Sequence, residues 1–147
     1  MKFYSAVILS KAFWATLSTN KGWIVSINGA MSHSPDPFFM VGGAVNAAFL
    51  NFTKALSKRG LVDGVNVNSI NPGMTSTDRL ITIIQNNADR EGISFVDAEK
   101  NALKNIGLDR FSTPEEVAEL VYFLCDPKVR HLTGTEINLD GGKKPTI

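Results

Sequence analysis

Two short apolar runs, Trp23-Ile-Val-Ser-Ile27 and Val65-Asn-Val-Asn-Ser-Ile70, constrain this chain more than any other feature. The segment between them has the period of a helix, not of a strand. Its apolar residues Ala44/Val45, Ala48, Phe52 and Ala55/Leu56 recur at three- and four-residue spacing and predict a helix over about 43–58, with those residues inward. A strand, a crossover helix and a second strand make a parallel pair, which cannot be closed by a hairpin. The first run is nearly all apolar, as strands covered on both faces are, whereas alternation is visible in the second.

The flanks extend the same alternation of elements. Phe3, Ala6/Val7, Phe13/Trp14 and Leu17 predict an amphipathic helix over 3–17, broken by Gly22. A loop with Pro35 and Pro37 precedes the central helix, and Asn71-Pro72-Gly73 stops the second strand. Residues 78–108 are polar and weakly helical, with an apolar patch at Leu80–Ile84. Thr113-Pro-Glu-Glu116 has the residues of a capping box with proline at the first helical position. Val117, Leu120, Val121 and Leu124 form the stripe that follows, and Glu136-Ile-Asn-Leu139 reads as a last strand. The expected fold is α/β: three strands of a Rossmann-like parallel sheet with flanking helices, in one domain over 1–147.

Composition excludes several function classes. With 44% hydrophobic residues, 20% charged residues and a net charge of +1, the chain is neither disordered nor strongly basic. No Lys/Arg run exceeds two residues, so neither nucleic acid nor an anionic membrane is an expected partner. Phe3–Ser10 resembles a signal peptide, but Lys11 interrupts it and no small-residue cleavage site follows. The lone Cys125 forms no internal disulfide, which favours a reducing, cytoplasmic setting.

Four segments carry a family resemblance. They are Gly22–Ile27, then Asn46-Ala-Ala-Phe through Leu56, then Val67-Asn-Ser-Ile-Asn-Pro-Gly-Met-Thr-Ser-Thr77, and finally Arg110–Gly142 with Pro114-Glu-Glu-Val-Ala118 and Asp140-Gly-Gly142. In this order and spacing, over 22–142, the chain resembles the C-terminal half of a classical short-chain dehydrogenase/reductase, with 78–108 as the substrate-lid-like segment. The resemblance implies NAD(P)-dependent alcohol or carbonyl redox chemistry. It further implies that Pro72, Gly73 and Thr77 correspond to the loop against the nicotinamide. The same residues also read as a strand-ending turn with Thr77 capping the next helix.

The residues that the family needs for chemistry are not retained. A tyrosine acid, a lysine four residues later and a serine about thirteen residues earlier would correspond to Gly42, Asn46 and Gly29. Neither Tyr4 nor Tyr122 has a lysine four residues on. No Gly-rich turn follows a strand, and Gly42-Gly43 reads as a helix entrance rather than a phosphate loop. The expectation is a truncated, catalytically degenerate member for which NAD or NADP is the family cofactor and tight binding is not expected.

The rival reading is an assembly module. Family members associate through the helices matching 3–17 and 43–58 and through the last strand, so the partner would be a second copy or a related subunit. The remaining candidates read plainly. His33 is a solvated loop histidine with no telling carboxylate near it in sequence, and Ser32 and Ser34 lack a nucleophile elbow. Asp109-Arg110 is a surface ion pair, and Cys125 is a small core hydrophobe. His33, His131 and one cysteine make no metal site.

Overall fold

The computed structural model describes residues 2–143. Its elements, in chain order, are α1 (Lys2–Thr19), β1 (Trp23–Ile27), α2 (Met40–Asp63), β2 (Asn66–Pro72), α3 (Asp78–Glu91), α4 (Phe95–Ile106), α5 (Pro114–Leu124) and β3 (Glu136–Leu139), with short 3₁₀ turns at Ala30–Ser32 and Pro127–Val129. The sheet is parallel and ordered β1-β2-β3, with Trp23 opposite Asn66 and Ser69 opposite Glu136. No helix among the described residues is long and apolar enough to cross a membrane.

β2 is the centre, and its burial differs from the sequence expectation. Asn66 to Asn71 are all buried, so the alternation of asparagine and aliphatic residues does not mark a wet face. Asn66 Nδ2 donates to the carbonyls of Arg130 (2.6 Å) and Leu132 (3.1 Å), and Asn68 Nδ2 donates to Leu132 O (2.8 Å). Asn68 Oδ1 accepts from Thr135 N at 3.2 Å. These side chains satisfy the loop that carries the chain into β3, which is how buried amides avoid the cost of lost hydration. β1 differs in the other direction. Among the described residues it has a neighbour on one side only, and of its five residues only Ser26 is buried while Ile27 is exposed.

Helix α2 meets the sheet with an unexpected face. The residues buried along it are Asn46, Phe49, Thr53, Ser57 and Gly60, mostly small and polar. Small side chains let the helix approach β2 closely. A Cβ at Gly60 would overlap the Val65 carbonyl oxygen. The expected apolar stripe is half-buried at Val45, Phe52 and Leu56, while Ala44, Ala48 and Ala55 are exposed. Part of it faces α1, where the Phe3 and Phe52 rings meet edge-on with centroids 5.9 Å apart. At the far end Trp14 Nε1 donates to Asp63 Oδ2 at 2.7 Å, and Ser18 Oγ donates to Asp63 O at 2.8 Å. Those two bonds fix the pairing of α1 with α2. Phe13 falls outside it, on an exposed face with Tyr4, Ile8 and Leu9.

Residues 78–108 form two helices with a small core of their own: Leu80, Ile84, Ala88 and Ala98, flanked by Met74, Ile93, Phe95 and Phe111. Gly92 and Gly107 end them at positive φ, and Ser94 Oγ caps α4 by accepting from Asp97 N. The capping box of α5 is present as expected. Its Glu116 also takes both guanidinium nitrogens of Arg110 at 2.8 and 2.9 Å, so Arg110 pairs with Glu116 rather than with Asp109. The Arg110 hydrogen bond and then the Thr113 amide hold the Glu116 carboxyl down at about 2. Along the α5 stripe only Leu124 is buried, while Val117, Leu120 and Val121 are half-buried.

The close approach of α2 to β2 can be tested at one residue. In an exposed helix interior, replacing glycine by alanine is favourable by about 1 kcal/mol. At Gly60 the added methyl meets backbone, and Gly60→Ala is expected to destabilise the fold by roughly 1–3 kcal/mol. Urea unfolding monitored by circular dichroism measures it; an unchanged or raised midpoint would contradict this packing.

Candidate functional site

In open parallel sheets, ligands sit beyond the carboxyl ends of the strands. Here that region is built from Asn28 and Gly29 after β1, the first turns of α2, and the Pro72–Thr77 segment after β2. Asn28 continues the ladder by donating its N–H to Ile70 O at 2.8 Å. Its side-chain Nδ2 donates to Asn46 O at 3.0 Å, which ties α2 to the end of β1.

Gly29, Gly42 and Asn46, which the resemblance matches to a serine, a tyrosine and a lysine, lie together at this end of the sheet. A Cβ at Gly29 would stand 2.8 Å from Asn46 Nδ2, so the amide of Asn46 occupies the room beside position 29. A Cβ at Gly42 would fall inside the Phe39 ring. Gly43 N–H donates to Phe39 O at 2.8 Å, so the Gly42-Gly43 pair lies within the first turn of α2. Asn46 Oδ1 accepts from Lys2 Nζ at 2.9 Å, and the same ammonium donates to Asn28 O at 2.7 Å. Burial, and then the charge of Arg79, hold the Lys2 pKa below the ordinary lysine value.

After β2, the loop is anchored by backbone. Gly73 N donates to Leu139 O at 2.9 Å, and a Cβ at Gly73 would lie 2.9 Å from Asp140 Cα. Glycine is therefore required there by the approach of the segment leaving β3, whatever else the loop does. Thr77 sits at the N-cap position of α3, but its side chain makes no capping bond. Its Oγ1 instead donates to Thr75 O at 3.3 Å. The expectation that Thr77 caps α3 with its hydroxyl is thus corrected.

A cleft of about 460 Å³ opens between α2 and β3, lined by Ser32, His33, Lys54, Ser69 and Glu136 among others. It overturns the reading of His33 as a histidine without a carboxylate partner. His33 Nε2 lies 2.7 Å from Glu136 Oε1, and Asn71 Nδ2 reaches the same oxygen. The pairing spans 103 positions of sequence. Cys125 is half-buried at the end of α5, and burial pushes its thiol up, which makes it a poor nucleophile. Among the described residues no three metal-ligating side chains cluster.

Sequence reasoning missed Lys2, Asn28 and Arg79. No spacing rule could have found them, because Lys2 meets Asn28 and Asn46 across 26 and 44 positions. The only local sign was a lysine at the start of an apolar helix.

The comparisons place this geometry among known proteins. Residues 1–144 match a family described as enoyl-(acyl carrier protein) reductase. The NADPH-dependent reductase BacG of Bacillus subtilis is 31% identical over 126 residues, covering 86% of this chain and 49% of BacG. The 3-oxoacyl-[acyl-carrier-protein] reductase FabG of Chlamydia muridarum is 32% identical over 127 residues, covering 86% of this chain and 46% of that protein. The chain thus spans about half the length of these relatives. Among solved structures, a protein of Francisella tularensis superposes with a TM-score of 0.88 at 30% identity, covering 99% of this chain and 60% of that one. YwfH, an NADPH-dependent reductase involved in bacilysin biosynthesis, superposes at 0.91 and 27% identity, with 99% and 56% covered.

The two threonines at helix starts should separate under mutation. Thr113→Ala removes a capping box and is expected to cost about 1 kcal/mol, whereas Thr77→Ala removes no capping bond and should cost only a few tenths. Thermal or urea unfolding of both variants decides it. Equal losses would mean that Thr77 caps α3 in solution.

Proposed function

The chain belongs to the short-chain dehydrogenase/reductase family, and we propose that it is a member without the family's acid–base chemistry. One observation carries this reading: the site is closed over the positions where the catalytic side chains would stand. The Phe39 ring covers Gly42, and the Asn46 amide fills the space beside Gly29. No phenol is present there to give a proton to a carbonyl oxygen. An amide at position 46 carries no charge with which to lower a phenol's pKa.

The relatives named as NADPH-dependent point to a nicotinamide dinucleotide as the ancestral cofactor. Such a cofactor supplies hydride when bound. Pro72, Gly73 and Thr77 are the remnant of its nicotinamide side. Among the described residues no Gly-rich turn joins a strand directly to a helix N-terminus that could take its pyrophosphate. The fit is therefore to one end of the cofactor only. A cytoplasmic setting accords with the single free thiol.

A second reading, as an assembly module, is favoured by a specific pair of surfaces. Among the described residues β1 is paired on one edge only, and α1 exposes Tyr4, Ile8, Leu9 and Phe13. An apolar strand edge without prolines or inward charges invites pairing. The partner would be a second copy of this chain or a related subunit. The two readings are compatible, since a subunit without chemistry can still complete another's sheet.

Two measurements test these proposals. The double variant Gly42→Tyr with Asn46→Lys is expected to show no NAD- or NADP-dependent oxidation of simple alcohols, and the wild-type chain is expected to show no micromolar affinity for NADPH by calorimetry. Turnover by the wild-type chain would overturn the first reading, whereas turnover by the variant or tight binding by the wild type would overturn the fit to one end of the cofactor only. For the second, light scattering is expected to give an oligomer or a heterogeneous assembly. A monodisperse monomer at about 50 μM, far above the range in which specific interfaces hold, with amides of 23–27 protected from exchange, would sink it.

A further inference from the structure

We propose that the cleft between α2 and β3 is a binding site for a small monocarboxylate, held by Lys54 and seated on Ala47 and Leu50. Its volume of about 460 Å³ falls within the roughly 300–1,000 Å³ of small-molecule pockets. The cleft is separate from the region beyond the carboxyl ends of the strands, because the residues that β3 gives it, Gly134 to Glu136, lie at that strand's amino end. Ser26, Ser69 and Glu136 stand in register across the sheet, and Ser26 Oγ meets Thr53 of α2, so this row faces α2. Ser69 is 1% exposed and lines the cleft, yet its Oγ has no hydrogen-bond partner among the described residues. A hydroxyl left unpaired beneath a cavity marks a wall that a ligand, or a water ordered by it, completes.

Charge decides the ligand class. The carboxylate of the cleft is engaged within the protein: Glu136 Oε1 lies 2.7 Å from His33 Nε2 and also accepts from Asn71 Nδ2. The ammonium is not matched in this way. Lys54 Nζ donates to Gly134 O at 2.6 Å and pairs with no carboxylate among the described residues. An ammonium carries three N–H donors, so two remain for a ligand. The bond to Gly134 O already holds the long side chain against β3, which lowers the entropy cost of ordering it around a ligand. The unmet charge is therefore positive, and a carboxylate offers it two acceptor oxygens in a charge-assisted pair. A phosphate dianion would bring a second negative charge toward Glu136 with only one ammonium to offset it. An amine would be repelled by Lys54 and would meet a carboxylate that two donors already hold. Ala47 and Leu50 line the α2 side and take an aliphatic body rather than a hydroxylated one.

The test titrates the full chain with butyrate, butylamine and butanol, which share one aliphatic body, and with inorganic phosphate, all at constant ionic strength. Backbone amide signals of Gly134, Thr135 and Glu136 are followed by NMR. Butyrate is expected to shift them in a saturable way, and the other three are not. Lys54→Met should weaken butyrate binding by about tenfold or more, the scale of one lost charge-assisted hydrogen bond. Lys54→Arg keeps a cationic donor and should retain saturable binding. No saturable shift with butyrate, equal shifts with butylamine, butanol or phosphate, or an unchanged affinity in Lys54→Met would each overturn the proposal. The four-ligand comparison on the wild type stands alone should the variants fold poorly. Neither NADPH binding nor turnover enters the readout, so the result is separate from the question of acid–base chemistry.

Discussion

The structure depends on the buried amides of β2. A central strand with asparagines at 66, 68 and 71, all in the interior, is stable only if each side chain finds partners that water would otherwise supply. Asn66 and Asn68 do so by bonding the backbone of the Arg130–Thr135 segment. Asn71 does so through its Nδ2, which donates to Glu136 and Asn138 on β3, while its Oδ1 has no partner among the described residues. The strand therefore aligns the residues that pair with it through side chains as well as backbone. Arg130 extends the arrangement, donating to Lys21 O at 2.7 Å and stacking over Trp23 with 5.0 Å to the ring centroid. One loop thus binds the turn before β1, the interior of β2 and the start of β3.

Once β2 is polar inside, α2 cannot cover it with large aliphatic side chains alone. Thr53 and Ser57 face the sheet, and Thr53 Oγ1 lies 3.1 Å from Ser26 Oγ while also bonding Phe49 O. Gly60 brings the helix close enough for this. The apolar stripe is consequently displaced sideways, where Phe52 meets Phe3 of α1. That pairing draws the first turn of α1 toward the carboxyl end of β1. It is why Lys2 reaches Asn28 and Asn46. The packing of a helix pair so far from any chemistry decides which charge enters the site.

The carboxyl end of the sheet is filled by the chain's own side chains. Phe39 lies over Gly42, and Asn46 reaches toward Gly29 while accepting from Lys2. On the other side of the sheet end, Gly73 is retained where Asp140 approaches most closely. A glycine in such a motif can thus be required by packing, and its presence alone does not argue for a cofactor-binding role.

Sequence by itself determined the order of elements, the three parallel strands and the capping box of α5, because each rests on local periodicity or on residues a few positions apart. Trp23–Ile27 and Glu136–Leu139 coincide with their expected bounds. It also determined that no Tyr-x-x-x-Lys pair exists, since that is a matter of composition and spacing. Residues 78–108 were only half legible: Gly92, Ser94 and Gly107 mark the ends of two helices, yet the polar surface between them masks the Leu80–Ile84–Ala88 stripe. Tertiary structure alone decided which face of α2 is inward, that β2 is wet on neither face, and that His33 meets Glu136. It alone brought Lys2 to Asn46. Each of these is a contact between residues far apart in sequence, fixed by where the sheet leaves room and where buried amides need partners. Periodicity reports that a side chain is apolar or polar; it does not report which distant group will satisfy it.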